Sequence, residues 1–249
     1  MTETDIEKLE LKYLNKYYYF LKFAIDEIHE GLKTKDKISN DWKGLWGTQI
    51  SSYSTGAERV IYSLLNGKGI GIPNSSPVGS DLFFEVSDAF IHIDLKTVGT
   101  NNIGDFDKSI FVGTNQNSYK HHMLVNENKK NESKREYIPH LPAIYNKKNK
   151  KKAKPCLSYF ITMLYDSDTA ETLVVNIMCM PNGELNKVYK HEPLKAGKNI
   201  DKTRFNFSRV DDFRLIEGEK RIKVVFFKKG INLKFKSLLY QYDLFKNIQ

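Results

Sequence analysis

Residues 80–98 read Ser-Asp-Leu-Phe-Phe-Glu-Val-Ser-Asp-Ala-Phe-Ile-His-Ile-Asp-Leu-Lys-Thr-Val. Leu82 to Val86 is apolar and aromatic, Ser87-Asp88 has turn chemistry, and Phe90 to Val98 is β-branched and alternating, which predicts a β-hairpin. Successive strand side chains point to opposite faces, so Ile91, Ile93 and Leu95 share a core face and His92, Asp94 and Lys96 share the other. Ionisable residues at i and i+2 inside so apolar a strand need a chemical reason. A two-residue loop at Ser87-Asp88 sets Asp81 directly opposite Asp94; opposed residues have Cβ atoms about 5 Å apart. Two carboxylates that close repel each other unless a cation lies between them. The pair offers Mg²⁺ hard oxygen ligands and leaves room for waters and a phosphate. Lys96 adds a positive point charge at the same place, able to orient an attacking water or to stabilise charge developing on phosphorus. The plainer alternative is an edge hairpin carrying a surface salt bridge.

Gly79-Ser80-Asp81, followed by Ile93-Asp94-Leu95-Lys96, resembles the PD-(D/E)xK nuclease signature, in particular that of type II restriction endonucleases. The matching residues are Asp81, Asp94 and Lys96. Ser80 departs from the pattern where the family often has proline, which removes no ligand. The resemblance, over roughly residues 56–180, implies an α/β, restriction-endonuclease-like core: a central mixed β-sheet flanked by helices. It implies a cytoplasmic bacterial enzyme that hydrolyses both strands of a short duplex DNA site with Mg²⁺, by in-line attack of a metal-activated water that leaves a 5′-phosphate. It also implies a homodimer, since two-fold symmetry matches a palindromic site. Asp81 and Asp94 would hold Mg²⁺ with the Leu95 carbonyl as a further ligand, and Lys96 would position the nucleophile. Two alternatives stand beside this. A repair or junction-resolving nuclease of the same superfamily would share the site but read DNA shape. A non-catalytic DNA-binding protein would use Asp81 and Asp94 structurally.

Composition is compatible with these readings. The 249 residues carry a formal net charge of +9 and a pI near 9.2, which suits a polyanionic partner. No apolar run is long enough to span a membrane, and the acidic, polar N-terminus is not expected to be a secretory signal. Cys156 and Cys179 form neither a disulfide framework nor a zinc pattern. No linker divides the chain, so residues 1–249 are expected to form one nuclease domain, with an N-terminal helix over about 4–34 and a basic loop insertion over about 126–154.

In the N-terminal helix, Leu14, Tyr17, Leu21, Ala24 and Ile28 recur at helical spacing, with Thr4 or Asp5 as the cap. The stripe suits either packing on the core or a dimer seam. A shorter helix over about 56–66 places Glu58 in its first turn. Nucleases with this signature often carry an acid on that helix, so Glu58 is a candidate to reach the metal through water; the alternative is a carboxylate complementing the helix dipole. The loop 69–80 leads into Asp81 and offers Asn74 and Ser75 to DNA. Asn115, Gln116 and Asn117 have side chains suited to adenine, as does the later segment holding Asn199, Lys202 and Arg204, which adds cations for guanine. The run from Lys147 to Lys154 suits phosphate contacts or a solvated loop. Strands are expected over 157–165, 172–180 and 221–229, a mixed basic loop over 186–210, and a helix or tail over 237–247.

Overall fold

The computed structural model of the chain describes residues 1–33, 53–66, 71–73, 80–126, 128–146, 153–184, 193–196, 203–206, 215 and 218–248. Helix α1 (Glu3–Phe23) starts at Thr2, whose hydroxyl accepts from the Asp5 amide while the Asp5 carboxylate accepts from the Thr2 amide. This reciprocal capping satisfies two amides that the first turn leaves unpaired, and it moves the cap from the expected Thr4 or Asp5 to Thr2. The helical path breaks at Ala24 and resumes over 25–33 as α2. Leu14, Tyr17, Leu21 and Ile28 are fully buried in the chain's own core. Each such burial contributes about 1.5–3 kcal/mol. The stripe is therefore core, not a dimer seam.

Helix α3 (Tyr53–Asn66) buries Tyr53, Ala57, Ile61 and Leu65, one residue per turn. Strand β1 (Ile72–Pro73) pairs with β2 (Leu82–Glu85), and β2 pairs with β3 (Phe90–Gly99) in the expected register, Leu82 opposite Ile93 and Glu85 opposite Phe90. The Val86 amide donates to the Ala89 carbonyl and closes the two-residue loop. A short helix α4 (Gly104–Asp107) and strands β4 (Ser109–Phe111), β5 (His121–Val125), β6 (Ser133–Tyr137) and β7 (Ile144–Tyr145) follow. Then come the long strands β8 (Lys154–Tyr165) and β9 (Thr172–Met180). Strands β10 (Leu194–Ala196), β11 (Thr203–Asn206) and β12 (Ile222–Phe227) and helices α5 (Leu233–Leu239) and α6 (Asp243–Lys246) complete the order.

The main sheet runs β1-β2-β3-β8-β9-β12, with β7 beside the start of β8. The β3–β8 pair is parallel and every other pair in it is antiparallel, so the sheet is mixed. Helices α1, α2 and α3 cover one face, where Ile91, Ile93 and Leu95 meet Leu157, Tyr159 and Ile161. The opposite face is also covered. Phe160, Met178 and Met180 pack there against a second sheet, ordered β4-β11-β10-β5-β6. This is why β8 and β9 are buried along almost their whole length and why His92 and Asp94, on the polar face of β3, are buried as well.

The second sheet corrects two expectations. The basic segment 126–154 contains β6, and the segment 186–210 contains β10 and β11, so neither is only loop. These strands are three to five residues long and gain their regularity by pairing with one another. Lys154 opens β8 and donates to the Glu85 carboxylate and the Val86 carbonyl, so it serves the hairpin. Among the described residues, no helix is long and apolar enough to cross a membrane. Cys156 and Cys179 are buried free thiols.

The largest fully buried side chain is Arg221, just before β12. It donates to the Glu10 carboxylate at 2.9 Å and pairs with Glu7 at 3.6 Å. Glu10 also accepts from the Asn182 amide, and its carbonyl accepts from the Tyr159 hydroxyl. This polar cluster joins α1 to β8, to the segment after β9 and to the start of β12.

Candidate active site

The hairpin register carries Asp81, the residue before β2, to the place opposite Asp94. The Leu95 amide confirms it by donating to Asp81 Oδ2 at 2.7 Å. Leu95 turns its side chain into the helix-side core, so at this point the described contact comes from its backbone. Asp94 is 2% exposed. Its Oδ2 is ion-paired with Lys96 Nζ, and its Oδ1 accepts from Gln116 Nε2 at 2.7 Å. The Lys96 ammonium, besides meeting the carboxylate, lies over the rings of Phe111 and Phe160.

Helix α3 supplies a second wall. Glu58 and Tyr62 are four residues apart, hence on one helix face. The Tyr62 hydroxyl lies near Asp81, and its acidity is suppressed by burial and by the Asp81, Glu58 and Asp94 charges. Burial, and then the nearby Asp81 charge, raise Glu58 above its ordinary value, while Lys96 opposes them. Because α3 begins at Tyr53, Glu58 lies in the second turn and not the first, beyond the reach of a helix-terminus dipole effect. It faces the acidic pair. In the sequence, the one signal for Tyr62 is its four-residue spacing from Glu58.

The charges do not balance. Burial above all, with Asp81 and Glu58 adding to it and Lys96 opposing, pushes the Asp94 carboxyl up to about 7. Near neutral pH this pair of aspartates is held against its own repulsion by one lysine. Hard oxygen donors carrying excess negative charge in a partly buried place fit a divalent cation. Among the described residues, no group of three or more His, Cys, Asp and Glu is gathered tightly enough to hold a metal alone. A cation here would complete its shell with water or phosphate oxygens, the habit of Mg²⁺.

The raised carboxyl has a signed consequence for stability. In metal-free protein, folded Asp94 keeps its proton up to about pH 7, whereas an unfolded aspartate loses it near 3.9. The folded state therefore binds more protons between those values, and stability falls as pH rises through that window. Asp94→Asn removes the term. Its metal-free form should exceed the parent in stability at pH 8 by a gain on the order of a few kcal/mol, shrinking to nothing near pH 4. Urea unfolding in EDTA at both pH values measures this. A difference that does not change with pH would show that Asp94 carries no such cost.

The expected base-reading residues do not stay together. Gln116 lies inside the site, bonded to Asp94, so it is not a group facing outward to bases. Asn117 is wholly buried, its amide donating to the Gly113 carbonyl and the Tyr137 hydroxyl; it is an interior post of the fold. Asn115 is exposed at the turn's tip and bonded to His140. Arg204 lies in β11, ion-paired with Asp105 and donating to Ser109 at 3.0 Å. Asn74, Ser75, Asn199, Lys202 and the run Lys147 to Lys152 lie outside the described residues.

The hairpin brings two aspartates and a lysine together, and comparison with known proteins supplies the family. The family model of the N-terminal domain of the type II restriction enzyme MwoI matches residues 2–169, and that of its central domain matches residues 172–227. The chain belongs to the MwoI family of type II restriction enzymes. As a member of that family it is a site-specific endodeoxyribonuclease. The two matches meet in the turn between β8 and β9, strands that pair side by side in one sheet. Solved structures agree on the fold. The chain resembles the restriction endonuclease BglI, solved bound to its DNA recognition sequence, with a TM-score of 0.66 at 17% identity over 88% of this chain and 89% of that one. It also resembles the tetrameric restriction endonuclease SfiI, solved bound to cognate DNA, with a TM-score of 0.58 at 13% identity over 93% of this chain and 88% of that one. No curated protein matches the chain by sequence.

Proposed function

We propose that this MwoI-family chain acts as one nuclease unit. It pairs into a homodimer in the bacterial cytoplasm and hydrolyses both strands of a short palindromic duplex DNA site with Mg²⁺. The observation that carries the metal assignment is the buried Asp94 carboxylate, set opposite Asp81 with its ordinary acidity suppressed above all by burial and then by that neighbour. Asp81 and Asp94, with the Leu95 carbonyl, would hold the ion. When bound, it neutralises the two carboxylates and supplies the Lewis acidity that activates water and steadies charge on phosphorus.

The chain's own residues do the rest. Lys96, held between two aromatic rings, places its ammonium where a scissile phosphate and the attacking oxygen meet the aspartates. The Leu95 amide holds Asp81 at 2.7 Å, so the carboxylate is oriented before DNA arrives. Glu58 stands behind Asp81 as an acceptor within reach of a bridging water. The +9 net charge favours approach to the polyanion. Base recognition is assigned to the exposed tip at Asn115 and to the segment 198–206, which ends in β11 beside β4.

The test is incubation of the full chain with plasmid DNA in Mg²⁺, in Ca²⁺ and in EDTA. Discrete fragments whose ends map to one short sequence are expected in Mg²⁺, and none in EDTA. Ca²⁺ should support retention of DNA without cutting, because its larger, looser shell screens the carboxylates without placing the water well. Efficient cutting in EDTA, or random ends, would overturn the proposal.

A further inference from the structure

We propose that Gln116 is a positioning residue of the cleavage site, holding Asp94 and Lys96 in register and tying them to the second sheet. The inference rests on the metal-site reading given above. The Gln116 carboxamide has three partners. Its Nε2 donates to Asp94 Oδ1 at 2.7 Å. Its Oε1 accepts from the Gly113 amide at 2.8 Å and from Lys96 Nζ at 3.3 Å. Only this orientation matches donors to acceptors, since reversing the amide would set oxygen against carboxylate and NH₂ against an ammonium and an N–H. One planar group thus fixes the carboxylate of Asp94 and the ammonium of Lys96 at once.

The turn that carries Gln116 is itself staked. The Gln116 amide returns to the Gly113 carbonyl at 3.0 Å, closing a β-turn. A methyl group on Gly113 would lie 3.2 Å from Gln116 Oε1, so glycine lets the carboxamide close onto the backbone. Asn117 bolts the turn to Tyr137 of β6, the Val112 amide donates to the Thr203 carbonyl of β11, and the Thr114 carbonyl accepts from the His140 amide. The turn is therefore a rigid extension of the second sheet. A displacement of that sheet on DNA would be felt at Asp94 through one side chain.

Partners that orient a metal's ligands typically change affinity or activity 10–100-fold when removed. The discriminating variant is Gln116→Glu. It keeps an oxygen for the Gly113 amide and Lys96, so it preserves the turn, but it cannot donate to Asp94 and adds repulsion there. Gln116→Met removes all three contacts at similar volume. We expect both to cut plasmid in Mg²⁺ about 10–100-fold more slowly than the parent. We also expect both to need a several-fold higher Mn²⁺ concentration for half-saturation of the DNA-free chain, followed by electron paramagnetic resonance. The urea midpoint of the metal-free protein should stay near the parent's for Gln116→Glu. If Gln116→Glu cuts at the parental rate, or binds Mn²⁺ as tightly or more tightly, the residue serves only the turn and the inference fails. Asp94→Ala run alongside separates the two levels. If it too cuts at the parental rate, the metal-site reading is at fault; if it is inactive while Gln116→Glu is not, only the positioning role falls. Should Gln116→Met not fold, Gln116→Glu carries the test.

Discussion

Asp94→Ala should abolish cleavage while keeping or improving specific DNA binding. On the proposed reading the substitution removes a metal ligand and the ion-pair partner of Lys96 together, so a loss of about a hundred- to a thousandfold in single-turnover rate is expected, the scale on which one electrostatic group at a reacting centre operates. Binding should survive for the opposite reason. On the proposed reading the buried carboxylate would repel the scissile phosphate, and its removal would leave Lys96 free to meet that phosphate. Asp81→Ala should behave alike, although it also releases the Leu95 amide. Gel retardation in EDTA, paired with cleavage in Mg²⁺, measures both halves. Retention of near-parental cutting by Asp94→Ala would remove the aspartate pair from the chemistry.

The second large effect lies in the buried polar cluster that joins α1 to β12. Arg221→Met should destabilise the fold by about 3–5 kcal/mol, because breaking a buried pair strands the remaining charge. Both Arg221 and Glu10 are 1% exposed, and burial already holds the Glu10 carboxyl above its ordinary range, with Arg221 opposing that rise. Without the guanidinium, Glu10 moves further up. Its ionised form then costs most at high pH, and the deficit shrinks as pH falls and the carboxyl takes a proton. Adding Glu10→Gln to Arg221→Met should recover part of the loss. Urea unfolding at pH 8 and pH 5 gives the sign. Equal loss at both pH values would mean that lost packing, and not the stranded carboxylate, dominates.

The hairpin that carries Asp81 and Asp94 was legible because its signals are local. Period-two alternation from Phe90, a two-residue loop and an acid pair at fixed offset are properties of consecutive residues, and register follows from loop length. The long strands β8 and β9 were legible for the same reason. What escaped were features made by distant parts of the chain. Gln116 looks like any loop amide until the turn after β4 folds back onto β3. Asn117 looks equally suited to adenine, yet Tyr137 claims it. Arg204 offers a guanidinium that Asp105 holds within the fold. Nothing near Arg221 announces that Glu10, more than two hundred residues earlier, will meet it. The second sheet had no strong local pattern because its strands are short and their partners lie far apart in sequence. Its presence is also what buries Asp94 and so raises its carboxyl, an effect no reading of β3 alone supplies.

The most direct test of the account is the position of a bound ion. A crystal of the chain grown with Mn²⁺ and examined by anomalous scattering should show a peak coordinated by carboxylate oxygens of both Asp81 and Asp94, with Lys96 beside it and Gln116 still bonded to Asp94. A peak at some other cluster, with the two aspartates bridged only by Lys96, would contradict it.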